Sequence, residues 1–205
     1  MKRFSLLMLF VAFIFQVGMS QISGTSHDFT GSAWNTTGEL CIVCHTPHNG
    51  DMTVATAPLW NHKVTAVAAY TVYSSSTLDA TVGQPGDESK LCLSCHDGTV
   101  ALENFGGVTT GTNLIASGNP TYVGTDLTND HPISFTYDAA LSGTDAGLHN
   151  PTTTNSGLGG TISADMLFSG KMQCASCHDV HDNTHGSFLR VSNVASALCI
   201  TCHNK

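Results

Sequence analysis

The chain has 205 residues and a mass of 21.5 kDa, enough for one domain or two small ones. Charged residues make up only 11% of it, and the formal net charge is −8. Seven basic residues, with no basic stripe, exclude a nucleic-acid binder. The chain uses Gly, Ser and Thr heavily, so a thin apolar core is expected and stability must come partly from elsewhere.

Residues 1–20 read as a secretory signal. Lys2 and Arg3 form its positive start, Phe4 to Val17 its apolar run, and Gly18-Met19-Ser20 its small-residue cleavage site. The run is short for a membrane span, which needs about 20 residues. No later stretch is apolar enough to span, so an exported mature chain is expected, extracellular or at the cell surface, otherwise periplasmic. Export allows the cysteines to be oxidised or covalently used.

Further along, residues 65–73 combine β-branched and aromatic side chains and predict a strand. Residues 89–96 and 194–203 contain few breakers and predict short helices. Residues 104–164 are rich in Gly, Thr, Ser, Asn and Asp and read as loops, either a linker or a wrapping segment. The expected organisation is a first unit over 21–103, a connection over 104–170 and a second unit over 171–205.

The cysteines carry the chemistry. All eight fall into C-x-x-C pairs, each followed at once by histidine: Cys41/Cys44/His45, Cys92/Cys95/His96, Cys174/Cys177/His178 and Cys199/Cys202/His203. C-x-x-C-H is the attachment sequence of c-type haem. Two thiols bond to the two vinyl groups, and the short link sets the imidazole beneath the iron as its proximal ligand. Disulfides or structural zinc give no reason for a histidine after every pair, and a thioredoxin-like site needs a βαβ context that is absent. Four covalent haem c groups are therefore expected.

The motifs form a repeat. Each unit opens with C-x-x-C-H-x-x-H, ending at His48 or His181, and closes with L-C-x-x-C-H. A lone histidine beside an Asp precedes each unit: His27-Asp28 and Asp130-His131. With His45, His96, His178 and His203 proximal, the repeat selects His27, His48, His131 and His181 as distal ligands. His62 is the substitute distal ligand, and His149 and His185 have no counterpart in the other unit. Met52, Met166 and Met172 are further iron ligands by type, but the histidines already suffice. With every axial position filled, the reading is an electron carrier and not an enzyme, since catalysis needs an open iron.

The Cys41–His48 and Cys174–His181 segments resemble the doubled C-x-x-C-H multihaem cytochromes. The wider set His27-Asp28-Phe29, Pro58-Leu59-Trp60-Asn61 and Asp130-His131-Pro132 resembles the OmcE-type tetrahaem cytochromes, exported proteins that polymerise into extracellular filaments. The resemblance implies a mostly irregular multihaem cytochrome c fold, with short helices and little strand around a haem stack. It also implies an axial histidine donated by an adjacent subunit. His27 lies near the mature N-terminus and the last motif near the C-terminus, which suits head-to-tail association with His27 as the donor. Partners are then other copies of the chain and redox proteins or extracellular acceptors.

Overall fold

Regular structure is sparse in the computed structural model, which describes residues 21–204; the signal reading lies outside the described residues. In chain order the elements are α1 (Asp87–His96), β1 (Phe135–Thr136), α2 (Ala139–Thr144), α3 (Ile162–Asp165), β2 (Lys171–Met172), α4 (Cys174–Cys177), a 3-10 turn (Val194–Ser196) and α5 (Ala197–Cys202). The two strands pair antiparallel, with Phe135 opposite Met172. The architecture is thus the loop-rich one expected, and the helices expected at 89–96 and 194–203 form.

The loops are held by a recurrent local device. In Asp28-x-Thr30, Asp97-x-Thr99, Asn119-x-Thr121, Asp126-x-Thr128 and Asn150-x-Thr152, one Oδ1 accepts from both the backbone N–H and the hydroxyl of the Thr two residues on. Such turns satisfy backbone donors without a ladder. They give the abundant Thr a structural use. Asn35 belongs to the same class: it is buried, and its Nδ2 donates to the Phe29 and Glu39 carbonyls.

The strand expected over 65–73 does not form. The segment has one isolated bridge, Thr71 to Asp126. The Gln84 side chain stands where a neighbouring strand would, accepting from Tyr70 N–H at 2.7 Å and donating to Tyr70 C=O at 3.0 Å. β-Propensity reports fit to a half-buried surface, and an extended segment without a second backbone remains a single strand.

Residues 104–164 pack rather than span. Among them, Phe135, Tyr137 and Ile162 form a buried cluster with Met166, Met172 and Cys202. A smaller cluster joins Tyr70, Leu93 and Leu127. The segment therefore supplies much of the apolar core that borders the last motif.

Candidate functional site

Each C-x-x-C-H motif is built as one helical turn. The histidine N–H donates to the carbonyl of the first cysteine: His45 to Cys41 at 2.8 Å, His178 to Cys174 at 3.1 Å and His203 to Cys199 at 2.9 Å. The second motif ends α1. Positions i, i+3 and i+4 of a helical turn share one face, so both sulfurs and the imidazole are gathered on one side. After the turn the backbone becomes extended and is pinned by a second segment, through bridges from His45 to Trp60, His178 to Leu189 and His203 to Leu148.

The first and third motifs are clamped in the same way, by Asn61 of the Pro58-Leu59-Trp60-Asn61 segment and by Arg190, which the sequence did not single out. Asn61 N–H donates to Cys44 C=O at 3.0 Å, and its Nδ2 donates to Ile42 C=O. Arg190 N–H donates to Cys177 C=O at 2.9 Å, and its Nε donates to Ala175 C=O at 2.6 Å. Asn61 and Arg190 are equivalent in the repeat, yet they lie at different distances from their motifs and differ in type. That hides the match in the sequence.

All eight cysteines are free thiols, and their motifs adjoin in chain order. Burial first, then the neighbouring Cys44, pushes the Cys95 thiol up to about 12. Cys92 donates to Cys174, which raises Cys92 and lowers Cys174 to about 7. Burial, then Cys177 and Cys199, pushes Cys202 up to about 11. The first motif thus meets the second, the second the third, and the third the fourth. At the two ends of this row, Cys41 and Cys199 are exposed.

Three pairs of imidazoles face one another across similar gaps. Ring centres are 6.0 Å apart for His45 and His181, 6.1 Å for His96 and His27, and 6.3 Å for His203 and His131. Metal–imidazole bonds are about 2 Å, so two rings on opposite faces of one iron have centres about 6 Å apart. The pairing follows the repeat: the lone histidine before each unit meets that unit's second motif. Among the described residues, no imidazole stands at this spacing from His178.

Several ring nitrogens are already oriented. Nδ1 of His96 lies 2.8 Å from Thr121 C=O, that of His131 2.9 Å from Pro132 C=O, and that of His178 2.9 Å from Ser187 C=O. A donor N–H at Nδ1 fixes the tautomer and leaves Nε2 free for metal, as an axial ligand requires. Burial, then the charges of His96 and His178, lowers His27 to about 4, so it is neutral at ordinary pH. Phe188 stacks on it at 4.6 Å.

The remaining candidates are placed differently. His27 lies against His96 of its own chain, with ring centres 6.1 Å apart. His62 is fully buried, with Nδ1 2.9 Å from Lys63 C=O and Nε2 3.0 Å from Ala101 C=O, so neither nitrogen is open to iron. His48 and His185 are on the surface, and the His149 N–H pins Cys202 C=O. Met166 and Met172 are core side chains, and Met52 is exposed.

The donor set fits haem better than a metal held by side chains alone. Among the described residues, no three His, Cys, Asp or Glu side chains converge as a metal cluster. What recurs is a pair of thiols beside a pair of opposed imidazoles. The Trp60 Nε1–H, on the residue bridged to His45, is buried without a partner, a donor suited to an acceptor such as a haem propionate. No helix of the described residues is long and apolar enough to cross a membrane. A search of curated proteins matched none. Residues 168–205 match the family model of the doubled CXXCH motif, which covers the third and fourth motifs. That match supports a multihaem c-type cytochrome, with covalently bound haem c as cofactor and electron transfer as its activity.

Proposed function

We propose that the chain carries four covalent haem c groups, each between two axial histidines, and passes electrons along them as one subunit of an extracellular head-to-tail conduit. Haem iron, when bound, takes up and gives back one electron without a proton or a substrate. The chain's own residues set the rest. His45 with His181, His96 with His27, and His203 with His131 form three axial pairs. The row of motifs, with exposed cysteines at both ends, supports a path that crosses the molecule and reaches its surface twice.

The unpaired His178 is the observation that carries the conduit reading. His181, in the second unit, faces the first motif of the first unit. His48 holds the same place in the first unit, yet lies exposed. If the repeat holds between molecules, His48 of a second copy reaches His178 of this one. The intersubunit role then belongs to His48, and His27 serves its own chain. Such a contact is heterologous and propagates unless it closes into a ring.

The test is purification of the secreted fraction. The expected result is four haems per chain by pyridine haemochrome, fully low-spin spectra, and filaments in the electron microscope. His48→Ala should yield separate subunits with one high-spin haem in four. Wild-type monomers with four low-spin haems would overturn the conduit and leave a soluble periplasmic shuttle. A haem count other than four would overturn the loading.

A further inference from the structure

The residue that follows each proximal histidine differs among the four motifs: Thr46, Asp97, Asp179 and Asn204. Two are neutral. Asp179 is partly exposed and has a cation beside it, with Arg190 Nη1 at 3.6 Å from its Oδ2. Asp97 is 1% exposed. Among the described residues, its partners are hydrogen-bond donors and not cations. Oδ2 accepts from Tyr70 Oη at 2.6 Å and Thr65 Oγ1 at 2.8 Å. Oδ1 accepts from Thr99 N–H at 2.7 Å and Thr99 Oγ1 at 2.8 Å.

All four contacts are donations to the carboxyl group, so its partners orient it and bring no cation to it. Its position is fixed on both sides. The Asp97 N–H donates to Leu93 C=O at the end of α1, and Gly98 follows with φ +73. A Cβ on Gly98 would lie 2.6 Å from Ile115 C=O, so the turn that buries Asp97 needs glycine there. The field of the carboxylate reaches the attachment site: Cys95 is pushed up by burial, by Cys44 and then by Asp97.

We propose that Asp97 is a built-in counter-charge that lowers the reduction potential of the haem attached at Cys92, Cys95 and His96 relative to the other three. The inference rests on the haem-loading reading above. Reduction adds one electron to the iron, received from a neighbouring haem, and no bond is made or broken. A buried negative charge on the residue next to the proximal histidine, with no cation beside it, would oppose that electron and favour the ferric state. Tyr70, Thr65 and Thr99 keep the charge in place without cancelling it. Asp97 is a positioning and tuning residue, since it acts through the field at the iron and does not bind it.

The experiment is a spectroelectrochemical titration of the holoprotein and its variants. Asp97→Asn should move one of four redox components to higher potential, by about tenfold in its reduction equilibrium constant. The other three should hold. Thr99→Lys keeps the carboxylate and sets a cation beside it from an exposed position. It should shift the same component upward, and it decides the question if Asp97→Asn fails to load haem. Asp126→Asn removes an exposed carboxylate from the same kind of turn and should leave all four components in place. Unchanged potentials in Asp97→Asn or Thr99→Lys, with four low-spin haems retained, would overturn the role of Asp97 while leaving the haem reading intact. An equal shift of all four would overturn it too. A wrong haem count in the wild type would instead strike the function proposed above.

Discussion

At the scale of single residues, the histidines divide by what their nitrogens face. His62 and His131 look alike in the sequence, each a lone histidine outside a C-x-x-C-H motif. His62 gives both nitrogens to backbone carbonyls, whereas His131 gives Nδ1 to Pro132 C=O and faces His203. The two substitutions should therefore separate. His62→Ala should keep four low-spin haems and lower stability by about 2–4 kcal/mol, through a buried void and a carbonyl left without its donor, since burial keeps the imidazole neutral with a single N–H. His131→Ala should create one high-spin haem that binds carbon monoxide when reduced, with a smaller loss of stability. Absorption spectra with chemical denaturation check both. The proximal set was legible because covalent attachment forces a fixed local spacing. The choice of His27, His131 and His181 as partners comes only from the repeat, and the backbone carbonyls that surround His62 leave no trace in the sequence. Residue type is written in the sequence, but the partner of a ring nitrogen is decided by residues such as Ala101, 39 positions away.

At the scale of elements, the junction between the two units is a polar seam between α1 and α4. Ser89 Oγ donates to Gln173 Oε1 and accepts from Cys174 N–H at 2.9 Å, while Ser134 Oγ donates to the same Gln173 oxygen at 3.1 Å. Gln173 also caps α4, its N–H donating to Ser176 Oγ at 2.8 Å. The seam holds the second motif against the third, where Cys92 and Cys174 touch. Ser89→Ala leaves the Cys174 N–H without its acceptor and takes away one of the two donors to the Gln173 oxygen, Ser134 keeping the other, so a loss of about 1–3 kcal/mol is expected. In a chain of this size that lowers Tm by roughly 2–12 °C, since each kcal/mol is about 2–4 °C. Calorimetry of the holoprotein checks it, and an unchanged Tm would mean that the seam closes in another way. The α1 helix itself could be foreseen, because residues 89–96 hold no helix breaker, and it starts two residues earlier, at Asp87. The seam could not, because Ser89 and Gln173 are 84 residues apart and neither is unusual in its own segment. The absent strand at 65–73 has the same origin. Its local chemistry favoured extension, which it has, but the partner it needed is a side chain from Gln84.

At the scale of the whole molecule, nine of the fifteen buried apolar side chains among the described residues gather into two small clusters, one of six residues and one of three. The larger includes Cys202, a haem-attachment residue by the present reading, so even the best-packed part of the protein ends at a cofactor site. The rest is loops closed by Asx turns, each satisfying its own backbone and adding little to long-range cohesion. Conformational entropy for a chain of this length is of order 100 kcal/mol or more and needs a large buried surface to offset it. Four haems would supply broad apolar faces at the centre, and each covalent pair with an axial histidine would close a loop between distant segments: His27 with residue 96, His181 with residue 45, and His131 with residue 203. Loop closures of this length limit the unfolded chain as cross-links do. The haem-free chain, made without the attachment machinery and kept reduced, should therefore show no cooperative urea transition by circular dichroism, while the holoprotein unfolds in one steep step. A sharp transition in the haem-free chain would show that the two clusters and the turns suffice alone. It would also reduce the haems from the organising core of the fold to passengers on it.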